Sequence, residues 1–369
     1  MPPITVMIKP VSGACNMRCR YCFYADEMSR RGEGIYPAME DDMLETLVRR
    51  VMMYADGQAT FAFQGGEPTL AGIEYFRRLV QLQKTYARPG LAVSNALQTN
   101  GLHLTDEMIA FFAEHDFLLG VSLDGCQATH DLLRLDAGGR GTFDRVLATT
   151  KKLDAAGVRY NILCVVNQAV ADNIHQVLEA LRSFEFLQFI PCLDPLDGEK
   201  TEHSLTPEGY EKFLRAAFDY YEEAFRQGRS LSIRNFDNWV GMLLGMPPEN
   251  CAMRGECSLG FLVESTGDVY PCDFYCLDQW KLGNLKEKSL RQMARTETAA
   301  AFCKPSQAVP DKCRACPCWG LCRNGCRRER DSETGLYRFC EPTRRFFDDC
   351  GARMAAIAQG VQERREAAF

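Results

Sequence analysis

The sequence predicts an α/β fold in two parts: a partial (β/α)6 barrel over residues 1–230, then a cysteine-rich domain over residues 231–369 that ends in a helix. Three observations carry this. Six apolar or β-branched runs alternate with segments of helical periodicity. A polar or glycine-containing segment follows every run. Finally, twelve of the 18 cysteines fall between Cys251 and Cys350, a different composition from the first 230 residues.

The strand candidates come in order: Thr5–Val11, Thr60–Gln64, Ala92–Gln98, Phe117–Leu123, Arg159–Val166 and Phe186–Leu193. Glycine, asparagine or aspartate bounds each of them. Between them, Met39, Met43, Leu47, Val48, Val51 and Met52 share one helix face. Thr206-Pro207-Glu208 reads as an N-cap followed by proline at the first helical position. Tyr210, Phe213, Leu214, Ala217, Phe218 and Tyr221 then form the buried stripe of that helix. Alternating strand and helix implies a parallel sheet. Right-handed crossovers curl it toward a TIM-like barrel, and six units leave that barrel two short of closure. Chemistry in such barrels sits at the C-terminal strand ends. The residues there are a cysteine loop, Gly65-Gly66-Glu67-Pro68, Thr99-Asn100-Gly101, Asp124-Gly125, Asn167 and Asp194.

The 369 residues are 46% hydrophobic, enough for a substantial core, and carry a net charge of −6. That charge gives no general attraction for nucleic acid or an anionic membrane. The basic run Cys326-Arg327-Arg328-Glu329-Arg330 is expected to be a solvated face. No apolar run approaches the roughly 18–20 residues of a membrane span. MPPITVMIKP lacks the features of a signal peptide, so the expected location is cytoplasmic. In a reducing compartment, clustered cysteines hold metal more often than they form disulfides.

Cys15-x3-Cys19-x2-Cys22 gathers three thiols after the first strand. A structural zinc site would want a fourth ligand. A [4Fe–4S] cube on three cysteines keeps one iron open, where an amino and a carboxylate group can chelate together. With GGEP after the second strand, this loop resembles the radical S-adenosylmethionine superfamily. The resemblance implies cleavage of S-adenosylmethionine to methionine and a 5′-deoxyadenosyl radical. It also implies that Tyr21 lies against the adenine and that Gly65, Gly66, Glu67 and Pro68 hold the methionine amino group. Ser122 and Arg134 would contact the ribose and carboxylate end, and Leu193 the adenine. Arg134 has the chemistry to bind a carboxylate through two parallel hydrogen bonds.

The C-terminal third reads Cys251-x5-Cys257, then Gly267-x4-Cys272, then Cys313-x2-Cys316-x5-Cys322-x3-Cys326, then Cys340. Taken alone, the run from Cys313 to Cys326 could be one zinc ribbon. These eight cysteines are enough for two complete four-cysteine sites. The pattern resembles the SPASM domain, which carries two auxiliary [4Fe–4S] clusters. By that resemblance, cluster I takes Cys251, Cys257, Cys272 and Cys326, and cluster II takes Cys313, Cys316, Cys322 and Cys340. Spacing alone would have grouped Cys326 with its near neighbours. Of the other cysteines, Cys164 sits in a strand as a small hydrophobe. Cys276 and Cys318 lie close enough to the ligands to compete with them.

Removing one hydrogen atom from a substrate leaves a second electron and proton to go. A fully cysteine-ligated cluster suits the electron. Asp273, beside Cys272, is the candidate base for the proton. MPPxxxxIKP, CFY (Cys22–Tyr24), FAFQGGEPTLAG, LQTNG, NILCVV, LQFIPCLDP and YPCDFY together resemble the anaerobic sulfatase-maturating enzymes. The resemblance implies oxidation of a cysteine or serine, within a Cys/Ser-x-Pro-x-Arg motif of a nascent sulfatase, to Cα-formylglycine. The radical would take a Cβ hydrogen, Asp273 the side-chain proton, and auxiliary cluster I the electron; for cysteine, water would hydrolyse the resulting thioaldehyde. A flavodoxin-like or ferredoxin-like donor would supply the first electron, with neither nucleic acid nor membrane as partner. Two other readings stay open: a SPASM peptide maturase forming thioether or carbon–carbon crosslinks, and a non-catalytic zinc-binding adaptor. The former often carries an N-terminal recognition domain, for which a first cysteine at residue 15 leaves no room.

Overall fold

The computed structural model describes residues 3–367; Met1, Pro2, Ala368 and Phe369 lie outside the described residues. All six expected strands form, each within a few residues of its expected bounds: β1 (Ile4–Ile8), β2 (Gln58–Phe63), β3 (Ala92–Thr99), β4 (Leu118–Ser122), β5 (Tyr160–Val166) and β6 (Phe186–Pro191). Helices follow them in turn, so the six strand–helix units of the α/β fold are present in order. The chain divides into two compact units that do not follow its linear order. One comprises residues 1–123, 130–161 and 259–302; the other comprises residues 124–129, 162–258 and 303–369.

In the first unit β1, β2, β3 and β4 pair in parallel, with Ile8 opposite Phe63 and Phe63 opposite Leu97. A later hairpin extends this sheet beyond β1. Leu262–Val263 pairs parallel with Met7–Ile8, and Asp268–Tyr270 returns antiparallel. Helix α1 (Phe23–Ser29) continues from the cysteine loop, and α2 (Asp41–Tyr54) covers the sheet. The apolar stripe of α2 buries Met43, Leu47, Val48, Val51 and Met52 as the periodicity requires. Each buried side chain of this size contributes roughly 1.5–3 kcal/mol. Met39 is also buried, but just ahead of the helix.

In the second unit β5, β6 and a short strand Ser232–Ile233 pair in parallel. Thr206 caps the helix Pro207–Arg226 through its hydroxyl, which accepts from the Gly209 N–H at 3.0 Å. All six residues of its expected stripe are buried. The C-terminal helix, Cys340–Ala367, packs along it: Trp239 and Phe218 meet Phe346, and Arg353 bonds Asp219 at 2.7 Å.

The basic run is not a solvated face. Arg330 donates to the carbonyls of Ser306, Gly255, Asn324 and Gly325 at 2.8–3.2 Å, and Arg328 donates to that of Asp194 at 2.6 Å. Loops in this unit have few regular partners for their carbonyls, and guanidinium forks supply them.

Candidate active site and cluster-binding thiols

The loop that follows β1 brings Cys15, Cys19 and Cys22 together. Cys22 donates its N–H to the Cys19 carbonyl at 3.2 Å, and the Met17 N–H points at Cys15 Sγ at 3.4 Å. The Arg18 and Arg20 amides anchor the loop on the carbonyls of Leu135 and Leu133 at 2.7 and 3.0 Å. Burial raises the Cys15 pKa, as does the negative charge of Glu67 and Cys22, while the Met17 amide and Asn100 oppose it.

The Gly65-Gly66-Glu67-Pro68 segment docks directly on this loop. Both glycines have positive φ, +81° and +57°. A methyl group on Gly66 would lie 2.3 Å from the Ala14 carbonyl oxygen, so only glycine permits the approach. The Glu67 N–H then donates to that same oxygen at 2.8 Å. The Glu67 carboxylate is fully buried and used inside the protein. It accepts from the Thr69 N–H and hydroxyl (3.0 and 2.7 Å), the Thr99 hydroxyl (2.9 Å) and the Asn100 N–H (2.7 Å). Burial raises its pKa, and these four bonds oppose the rise. Asn100 in turn bonds Asn16 at 2.7 Å and points at Cys15 Sγ at 3.7 Å. Glu67 therefore ties the end of β3 to the cysteine loop.

Arg134 is also carried to the loop. Its guanidinium lies over the Tyr21 ring at 5.5 Å, with Nη1 4.0 Å from Cys19 Sγ. Ser122 ends β4 in the same unit, whereas Leu193 lies in the other unit, just past β6.

Asp273 is partly buried and sits among polar side chains of the first unit. Its carboxylate accepts the Tyr24 hydroxyl, at 2.9 and 3.0 Å from its two oxygens, and bonds the Gln64 side chain. Burial raises its pKa; Lys9, Tyr24 and Gln64 pull the other way. Lys9, 2% exposed, lies 4.6 Å from the Tyr24 ring centroid, 3.7 Å from Glu27 and 3.8 Å from Glu264. Burial pushes the Glu27 pKa up to about 8, although Lys9 lowers it. Arg31 pairs with Glu264 at 2.6 Å and reaches Cys276 Sγ at 3.2 Å. Cys276 thus packs into this charged network, and burial pushes its thiol up to about 12.

The sequence reading gave no role to Lys9, Tyr24 or Gln64. Each nonetheless stands in a quoted motif: IKP, CFY and FQGGEP. Their signal was position: Lys9 and Gln64 each sit one residue past a strand, and Tyr24 two residues past the third cysteine.

In the second unit, Cys313, Cys316, Cys322 and Cys340 line one cavity, together with Cys318. Cys251 and Cys257 share the electrostatic surroundings of Cys326. Cys272 belongs to the first unit. Among the described residues no three His, Cys, Asp or Glu side chains converge on a point that would hold one metal ion. A four-iron cube takes its thiolates at separate corners and not at one point, so cysteines spread around a cavity wall, as from Cys313 to Cys340, are compatible with one. The donor sets fit such clusters: soft sulfurs, three in the first loop and four or more around the cavity.

Residues 10–181 match the Radical SAM superfamily, and residues 251–317 match SPASM, an iron-sulfur cluster-binding domain. The chain is 40% identical over 370 residues to the cysteine-type anaerobic sulfatase-maturating enzyme of Clostridium perfringens, covering 98% of this chain and 100% of that one. It is 30% identical over 370 residues to the serine-type enzyme of Bacteroides thetaiotaomicron, covering 94% and 89%. A solved structure of native anSMEcpe with bound AdoMet and Cp18Cys peptide matches with a TM-score of 0.93 at 40% identity, covering 98% of this chain and 100% of that chain.

Proposed function

The chain belongs to the anaerobic sulfatase-maturating enzymes of the radical S-adenosylmethionine superfamily, and from that premise we propose that it oxidises a cysteine of a nascent sulfatase to Cα-formylglycine within a Cys-x-Pro-x-Arg motif. The observation that carries this is one unit in which the Glu67 N–H joins the Gly65–Pro68 segment to the cysteine loop at Ala14, and Asp273 bonds Tyr24 and Gln64 beside them. Cysteine is preferred over serine as the target because the cysteine-type relative is 40% identical and the serine-type relative 30%.

When bound, S-adenosylmethionine on the three-thiolate cluster supplies the radical that removes one Cβ hydrogen, and a fully cysteine-ligated cluster supplies the acceptor for the second electron. The chain's own residues manage the proton and the positioning. Desolvation raises the proton affinity of Asp273 above that of an ordinary carboxylate, which makes it a better acceptor of the substrate's proton. Tyr24 and Gln64 fix its orientation, and Lys9 offsets its charge. Cys15, Cys19 and Cys22 are assigned to the first cluster. Cys313, Cys316, Cys322 and Cys340 are assigned to one auxiliary cluster, and Cys251, Cys257 and Cys326 to the other. Tyr21, Ser122, Arg134 and Gly65–Pro68 are assigned to S-adenosylmethionine. Glu67 acts there by holding the backbone, since its carboxylate is already bonded four times. The electron donor is a flavodoxin-like or ferredoxin-like protein. No helix among the described residues is long and apolar enough to cross a membrane, and we place the enzyme in the cytoplasm. By function, residues 1–230 form the radical module and 231–369 the auxiliary-cluster module.

The test is anoxic turnover of a Cys-x-Pro-x-Arg peptide by reconstituted, reduced enzyme, read by mass spectrometry. The aldehyde product is expected. Cofactor cleavage without any aldehyde would refute the sulfatase assignment. Asp273→Asn should keep its iron and its deoxyadenosine formation but lose most aldehyde; full turnover removes Asp273 from the base role.

A further inference from the structure

We propose that Cys318 is a reserve ligand of the auxiliary cluster assigned to Cys313, Cys316, Cys322 and Cys340, able to take the corner that Cys316 holds. The inference rests on that cluster assignment and adds a residue to it.

Five thiols line the cavity, and a four-iron cube binds four. The fifth is not a buried hydrophobe of the kind seen at Cys164 and Cys350, which are 1% and 3% exposed and touch no such cavity. Cys318 is partly exposed and stands on the cavity wall. Its side chain is hydrogen-bonded to that of Cys316. The two are separated only by Pro317, whose ring fixes φ and stiffens the step between them. Both belong to one tight turn. The Cys316 carbonyl accepts from the Trp319 N–H at 3.1 Å, and the Cys318 carbonyl accepts from the Leu321 and Cys322 N–H groups at 3.1 and 2.9 Å. A ligand change here needs little backbone motion, because the same turn presents both sulfurs. Cys276, the other thiol that spacing left unplaced, differs: its sulfur is engaged by Arg31 and Glu264 at 3.2 and 3.7 Å, away from this cavity.

The exchange balances without a redox step. The iron–sulfur bond to Cys316 breaks and one to Cys318 forms. The Cys318 thiol proton passes along the existing hydrogen bond to the departing Cys316 sulfur. Lys312 and Arg344, also on the cavity wall and paired with Glu341 and Asp348, stand beside the thiols in either arrangement.

The experiment is anaerobic reconstitution of the full chain followed by iron and sulfide analysis. Cys316→Ala and Cys318→Ala should each keep the iron of the parent. The double variant should lose about four irons per chain, one cube, as Cys322→Ala does. Cys316→Ala as depleted as Cys322→Ala overturns the proposal. Undiminished iron in Cys322→Ala overturns the cluster assignment beneath it. Should Cys316→Ala not fold, Cys318→Ala leaves every assigned ligand in place and still decides. With EDTA present, its absorbance near 400 nm should bleach several-fold faster than that of the parent. Equal bleaching rates overturn the proposal.

Discussion

Replacing Glu67 by glutamine changes one atom at the junction of the second strand, the third strand and the cysteine loop. Glutamine can keep its oxygen where Oε1 now accepts from Thr69 and Thr99. Its amide nitrogen then faces the Asn100 N–H, which now lies 2.7 Å from Oε2, so two donors oppose each other in a buried site. A hydrogen bond to a charged group is worth about 1.5–3 kcal/mol, and leaving a buried donor unsatisfied costs about 1–3 kcal/mol more. The sum centres on about 4 kcal/mol. For a compact body of 150–250 residues, each kcal/mol moves the melting temperature by about 2–4 °C, so a fall of roughly 8–16 °C is expected. The assay is differential scanning calorimetry of the metal-free protein, with iron content after reconstitution as a second measure. Displacing Asn100 also disturbs its contacts with Asn16 and Cys15, so iron loading at the first cluster should fall too. A variant that melts within about 3 °C of the parent and loads full iron would show that the carboxylate is not what joins these three segments.

Gly66→Ala places a methyl group 2.3 Å from the Ala14 oxygen at φ +57°, so it should cost at least about 2 kcal/mol and lower first-cluster iron; normal iron would mean the loop simply moves aside. Tyr24→Phe removes the hydroxyl that Asp273 accepts and should cut aldehyde formation about 10–100-fold while deoxyadenosine persists, read by liquid chromatography; equal losses of both products would place Tyr24 at the cofactor instead. Glu27, facing Lys9, Asp273 and Arg31, binds its proton more tightly folded than unfolded. The stability this gives is full below about pH 4.5 and drains away as pH rises through about 8. The span has an upper bound of roughly 4–5 kcal/mol, so Glu27→Gln should flatten the decline in melting temperature between pH 6 and 9; an unchanged slope would assign the decline to other groups.

Much of the site was legible because its chemistry is local in sequence. Cys15, Cys19 and Cys22 lie within eight residues, and Gly65–Pro68 announces a close backbone approach by composition alone. The strand ends fell close to the expected bounds because strand periodicity and turn residues are both short-range signals. The charged network was not legible. Nothing in the sequence pattern singles out Glu27, Arg31 or Glu264, or gives Lys9 a role, and only the contacts among β1, the segment around α1 and the hairpin that starts at Leu262 reveal them as buried partners. The basic run at Arg327–Arg330 misled for the same reason: a guanidinium on a loop reads as solvated until the carbonyls it ties are known.

The sequence by itself determined the order of strands and helices, the capping of the long helix at Thr206, and a loop of three thiols with a glycine pair to meet it. These follow from residues near one another along the chain, where spacing and side-chain chemistry act directly. Tertiary structure alone decided that Leu262–Val263 extends the sheet beyond β1, which carries Asp273 to Tyr24 across 249 positions of sequence. It also decided that five thiols, not four, share one cavity. Pairings at that separation depend on which burial and hydrogen-bond partners the whole fold supplies, and no local pattern specifies them.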